Sequence, residues 1–169
     1  MRDRPQPITF DVNVLIRAVV EGNSLFSSWP SPPPAGPYPA SECVGIVNDA
    51  REFALYLSPH VLTNVVRVLI DPEGYGWPAD RAEEYASILR EIVEASGGEI
   101  IDPAIRVSDC PDYEDNRILE LALASSSVLI VSSDAHLLEM SPWHGIPVIR
   151  PEEFVSRVDA MRRATRRRP

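Results

Sequence analysis

Asp112-Tyr113-Glu114-Asp115-Asn116-Arg117-Ile118-Leu119-Glu120-Leu121-Ala122-Leu123-Ala124 reads as a helix. Ser125, Ser126 and Ser127 interrupt it, and Val128-Leu129-Ile130-Val131 then reads as a short buried strand that Ser132-Ser133-Asp134 closes. A helix feeding a fully apolar strand that runs out at an acid is the unit of a parallel, doubly covered sheet. The same unit recurs near the start, where Ile8-Thr9-Phe10 reads as a first buried strand stopping at Asp11, with Asn13–Val20 as the helix that follows.

Working outward, apolar residues at 43, 44, 46, 47, 50, 53 and 54 give Cys43–Tyr56 a helical pattern, and Ala54–Leu57 is expected to form a second strand ending at Ser58. Pro59 sits at the first turn of a helix that continues to Ile70. Asp71–Pro78 is a loop, and Asp80 is expected to cap a long amphipathic helix through Ala95 that Gly97-Gly98 ends. Glu99–Ile101 and Pro147–Ile149 read as further short strands, Asp134–Met140 as a short helix, and Pro151 opens a final helix. The reading is an α/β fold: one domain with a central, mostly parallel sheet of about four to five strands and helices on both faces.

The chain has 169 residues, which suits a single domain, expected over 1–156. Within it, 24–41 carries Pro30, Pro32, Pro33, Pro34, Pro37 and Pro39 and reads as a proline-rich surface insertion, or else as a docking segment or lid. Residues 157–169 form an arginine-rich tail, whose six arginines against Asp159 give it +5 and leave −14 for the rest of a chain of net charge −9. The tail reads as a solvated terminus, as a docking element for an acidic partner, or as a basic arm for RNA phosphate through Arg162, Arg163, Arg166, Arg167 and Arg168. No run of about 18 apolar residues predicts a membrane span, and the N-terminus has no signal-peptide core, so the expectation is a cytoplasmic protein.

All 16 basic residues are arginine. Without lysine, neither a Walker-type phosphate loop nor Schiff-base chemistry can be built. Cys43 and Cys110 have no disulfide-scaffold or zinc-ligand spacing, and His60, His136 and His144 form no metal-binding pattern. The long-helix stripe Ala82, Tyr85, Ala86, Ile88, Leu89, Ile92 and Val93 reads as core, with part of it open to use as a dimer or partner face. Trp29, Tyr75, Trp77 and Trp143 make no patterned stacking platform.

In open α/β sheets, ligand chemistry gathers beyond the carboxyl ends of the strands. Asp11 and Asp134 fall there, and Asp115 lies in the first turn of the helix that begins near Asp112. Singly, each acid also reads as a helix cap or turn residue. Together they repel unless something positive lies between them, and a hard divalent cation such as Mg²⁺ or Mn²⁺ answers that need. The chemistry expected is metal-assisted phosphodiester hydrolysis, in which the cation activates water and offsets phosphate charge.

Three segments carry a family resemblance. Phe10-Asp11-Val12-Asn13-Val14-Leu15-Ile16 resembles the opening motif of PIN domains, Asp112–Ala122 their D-x-x-D-N helix, and Ile130–Leu138 their later strand-acid-helix segment, in matching order from roughly Ile8 to Phe154. The resemblance implies a PIN-like domain acting as a single-stranded RNA endonuclease, most similar to VapC-type toxins of bacterial toxin–antitoxin pairs. It implies Asp11, Asp115 and Asp134 as metal-binding catalytic acids. It also implies Asn13, Asn116 and Ser132 as polar supports, Asp112 as an extra rim acid, a cognate antitoxin and a homodimer. The family's fourth acid, a glutamate after the second strand, is replaced here by Asn64, which can offer only a carbonyl oxygen. That exchange supports a rival reading: the same fold as a binding module that holds RNA or a protein without cutting it. A haloacid-dehalogenase-type phosphatase fits less well, because its second aspartate would be Asn13.

Overall fold

The computed structural model describes residues 4–21 and 38–167. Most of the proline-rich segment, Trp29 and Arg168 lie outside the described residues. Among the described residues four parallel strands make the sheet: β1 (Gln6–Phe10), β2 (Phe53–Tyr56), β3 (Leu129–Val131) and β4 (Val148–Ile149), in the order β2-β1-β3-β4. The register pairs Ile8 with Leu55 on one side and with Leu129 on the other, and Phe10 with Val131. Among the described residues seven helices accompany it: α1 (Val12–Val20), α2 (Pro39–Asn48), α3 (Pro59–Ile70), α4 (Ala79–Ser96), α5 (Tyr113–Ala124), α6 (Ala135–Glu139) and α7 (Pro151–Arg166).

Both faces of β1 are dry, as a central parallel strand requires. On one face Phe10 meets Phe154 of α7 edge-on at 6.0 Å between ring centroids. On the other, Thr9 is fully buried and shares a 2.8 Å hydrogen bond with Ser127, which in turn bonds Ser125 at 2.7 Å. The serines between α5 and β3 thus satisfy a buried hydroxyl that would otherwise go unpaired.

Helix starts follow their sequence signals where a cap is present. The Ser58 hydroxyl accepts from the N–H of Val61 at the head of α3, and the Asp112 carboxylate accepts from those of Glu114 and Asp115 at the head of α5. Two expected starts move. Helix α4 opens behind Pro78, so Asp80 lies in its first turn and answers the helix dipole without capping it. Helix α2 begins at Pro39, inside the proline-rich stretch, because proline at a first helical position loses no hydrogen bond, and it ends at Asn48, well before Tyr56.

The α4 stripe is core: Ala82, Tyr85, Ala86, Leu89, Ile92 and Val93 are buried, and the Tyr85 hydroxyl donates to the Leu15 carbonyl at 2.6 Å. Gly97 ends α4 with a φ of +85°, and a Cβ on Gly98 would lie 1.8 Å from the Leu55 carbonyl oxygen. The expected strand at Glu99–Ile101 contracts to a single parallel bridge between Leu57 and Ile100. At the far end, α7 runs unbroken through Arg157 to Arg166, so the arginines at 157–166 are helical.

Candidate active site

Chain direction brings the carboxyl ends of β1 and β3 side by side. The N–H of Asp11 bonds the Val131 carbonyl at 2.9 Å, so the residues that follow each strand emerge together. The chain goes from β1 toward β2 on one side, while β3 lies on the other, which makes this a topological switch point. Asp11, Ser132 and Asp134 sit at that crevice, and α5 supplies Asp115 from its first turn.

Ser132 ties the strand ends together. Fully buried, it donates its hydroxyl to Asp11 Oδ2 at 2.8 Å and accepts the N–H of Asp134 at 3.0 Å. Asp134 caps α6 through Oδ1, which accepts from the N–H groups of His136 and Leu137 at 2.9 and 3.3 Å. Single ligand atoms of Asp115, Asp134 and His136 all lie within 4.8 Å of one another.

Electrostatics tie Asp11 to the same group. Burial pushes its carboxyl up to about 6, the proximity of Asp134 adds to this, and the Ser132 hydroxyl and the Val12 N–H act in the opposite direction. Asp115 is likewise raised to about 6, first by burial and then by the charges of Asp134, Asp11 and Asp112. Among the described residues no arginine forms an ion pair with Asp11, Asp115 or Asp134, and the sole basic side chain in ion-pair range is His136, with Nδ1 3.9 Å from Asp134 Oδ1. Carboxylates close enough for the charge of Asp134 to raise both Asp11 and Asp115, with no arginine between them, are a donor set suited to a hard divalent cation.

The supporting residues take up different duties. Asn116 is buried and clamps the loop before α5, donating to the Cys110 carbonyl at 2.7 Å and accepting its N–H at 2.9 Å. The Cys110 thiol lies 3.5 Å from Asp115 Oδ2. Asp112 is the α5 cap and also acts on Asp115 by its charge. Asn13 is exposed in the first turn of α1.

Asn64 sits in a separate polar chain. Its carbonyl oxygen accepts from Arg67 Nε and Nη2 at 3.1 and 2.5 Å, and its amide donates to Glu114 Oε2 at 3.1 Å. His60 Nε2 reaches the same carboxylate oxygen at 2.7 Å. The oxygen that Asn64 could offer a cation is therefore already held by a guanidinium.

Of the arginines read as an RNA arm, Arg162 is tied inward, to Asp49 at 2.9 Å and Glu52 at 2.6 Å, which fastens α7 to the turn before β2. Arg163 and Arg166 are exposed on α7, and Arg167 is exposed just past its end.

Sequence reading gave no site role to His136, Glu114, His60 or Glu120. The Asp134-Ala135-His136 spacing was the available signal for the first. His60 and Glu114 meet partners across the fold, whereas Glu120 pairs with Arg117 three residues before it on the same helix.

An open parallel sheet with acids at its switch point puts oxygen donors where folds of this class gather their ligand chemistry. The PIN domain family profile matches residues 7–136, and the chain belongs to that family. PIN domains are in general nucleases acting on RNA, and they typically use divalent metals. No curated protein matches the chain. Among the described residues, no helix is long and apolar enough to cross a membrane.

Proposed function

We propose that the protein is a divalent-metal-dependent endoribonuclease that cuts single-stranded RNA, with Asp11, Asp115 and Asp134 as its catalytic acids. The observation that carries this reading is the convergence of Asp115, Asp134 and His136 within 4.8 Å, with Asp11 electrostatically coupled to them. Asp115 and Asp134 would hold Mg²⁺ or Mn²⁺ with Asp11 beside them, and His136 adds a nitrogen donor on the exposed side. When bound, such a cation supplies Lewis-acid activation of water and offsets charge on the phosphate.

The chain's own groups prepare that chemistry. Ser132 fixes the Asp11 carboxylate in one orientation and links it to the backbone that aims Asp134. In the metal-free chain burial holds the Asp11 and Asp115 carboxyls near 6, so both are mostly ionised at pH 7 and ready to receive a cation.

The finer placement, as the toxin of a toxin–antitoxin pair with a cognate antitoxin, a homodimeric state and a cytoplasmic setting, is supported by the likeness of the three motifs to VapC-type toxins. Exposed Arg163, Arg166 and Arg167, with Arg168 beyond the described residues, are proposed to draw RNA toward an otherwise acidic body.

Asn64 favours the second reading, a weakened PIN fold that binds without cutting, because its oxygen is occupied by Arg67. Cleavage of end-labelled single-stranded RNA in Mn²⁺ or Mg²⁺ separates the two. The nuclease reading expects cuts abolished by EDTA and by the Asp11→Asn, Asp134→Asn double variant. Intact RNA under every metal, bound equally well by both proteins, supports the binding module.

A further inference from the structure

A second cleft, polar and outside the acidic cluster, opens between the start of α3 and the start of α5. It encloses about 130 Å³, well short of the roughly 300–1,000 Å³ of clefts that take drug-sized ligands, so its occupant must be small. Among its walls are His60, Asp102, Arg106, Tyr113 and Arg117. The two sites share α5. Tyr113 and Arg117, four residues apart, lie on one side of the helix, while Asp115 lies roughly half a turn away. Glu114 stands between them, held by His60 and Asn64.

Inside the cleft an aromatic surface is already assembled. Tyr113 is 60% exposed, unusual for a large ring, and the Arg117 guanidinium lies over it at 4.4 Å from the centroid. The His60 ring meets it edge-on at 6.0 Å. Arg117 is locked in that pose by Glu120, a nearly fully buried carboxylate 2.5 Å from Nη2 that also accepts the Val107 N–H at 2.8 Å. The stacking plane is thereby fixed to both α5 and the loop 102–107. Around its edge stand the exposed Asp102 carboxylate and the Arg106 guanidinium, one acceptor and one donor group.

We propose that this cleft binds a nucleobase of the single strand whose backbone passes the acidic cluster; the proposal rests on the nuclease reading above. Charge argues for a base in preference to a phosphate. Arg106 and Arg117 are balanced by Asp102 and Glu120, so the cleft has little net attraction for an anion, while a ring that carries Arg117 over one face and is still 60% exposed has its other face for a base. A base bound there stacks on Tyr113 and meets Asp102 with an N–H edge and Arg106 with a carbonyl or ring nitrogen. Tyr113 and Arg106 then act on binding and choice of cleavage position, leaving the chemical step to the acids.

The test is a titration of the ¹⁵N-labelled full chain in EDTA with the four nucleoside 5′-monophosphates, and with ribose 5-phosphate as the base-free control. Backbone amides of 102–107 and 113–117 should shift with nucleotides and stay still with ribose 5-phosphate. Tyr113→Ala should weaken nucleotide binding roughly tenfold, Tyr113→Phe should keep it, and Arg106→Gln should alter the ranking of the bases. With RNA and metal, Tyr113→Ala should raise KM about tenfold and leave kcat within about twofold. Equal shifts with ribose 5-phosphate, no shifts at all, or an unaffected Tyr113→Ala variant would overturn the subsite. The titration contains no metal, so lack of cleavage leaves its outcome standing, and cleavage without nucleotide shifts removes the subsite alone.

Discussion

The Ser132 hydroxyl stands 2.8 Å from Asp11 Oδ2 and makes the only side-chain bridge found from that carboxylate to a second strand end among the described residues. Because the same oxygen accepts the Asp134 N–H at 3.0 Å, one side chain orients two acids. Removing it leaves a buried carboxylate without its side-chain donor and the Asp134 N–H without that acceptor.

Ser132→Ala should therefore cost about 1–3 kcal/mol of stability and weaken Mn²⁺ binding by about tenfold or more. It should also push the Asp11 carboxyl further up, since the lost bond is one of those that lower it. Thermal unfolding and metal titration at two pH values measure both effects; a variant as stable and as metal-competent as wild type would assign Ser132 no positioning role.

The metal-free protein should lose stability as pH rises through the interval between about 4 and 6. Asp11 and Asp115 titrate near 6 when folded against a model value of 3.8, so the folded chain binds more protons than the unfolded chain across that interval. The sign is opposite to that of a salt-bridged carboxylate. Saturating Mn²⁺ should flatten the fall, because the cation binds the ionised form. Denaturant midpoints at pH 4, 5, 6 and 7, with and without metal, give the comparison.

Restoring a family-like acid at Asn64 should not by itself improve the enzyme. Asn64→Glu places a carboxylate where an amide now donates to Glu114 at 3.1 Å, so two negative groups face each other and Arg67 can answer only one. The variant should lose about 1 kcal/mol, and adding Glu114→Gln should recover most of it, a coupling that a double-mutant cycle reads directly. Additive losses would mean that residues 64 and 114 do not interact.

The sequence carried the strand ends and caps well, because these signals are local. Ser58-Pro59 and Asp112 mark helix starts in the very residues that make the bonds, and Asp11 and Asp134 end apolar runs that are too short for anything but buried strands. Local signals misled where a nearby element decided the outcome. Gly98 packs directly against the Leu55 carbonyl as α4 ends, and beyond it one bridge from Ile100 to Leu57 is all that forms of the strand expected at Glu99–Ile101. Pro39 looked like part of a loop because its neighbours are prolines, although a first helical turn accepts it. The polar chain Arg67–Asn64–Glu114–His60 was invisible for another reason: Glu114 lies 50 residues from Asn64 and 54 from His60, and no spacing rule spans that gap.

The most direct measurement is Mn²⁺ binding by electron paramagnetic resonance on wild type and on an Asp115→Asn, Asp134→Asn double variant, both shown to be folded. The account predicts saturable binding to wild type near pH 7.5, a loss of affinity of about a hundredfold or more in the variant, and loss of wild-type binding as pH falls below about 6. Equal binding by the two proteins, or no binding by wild type at any pH, would contradict it.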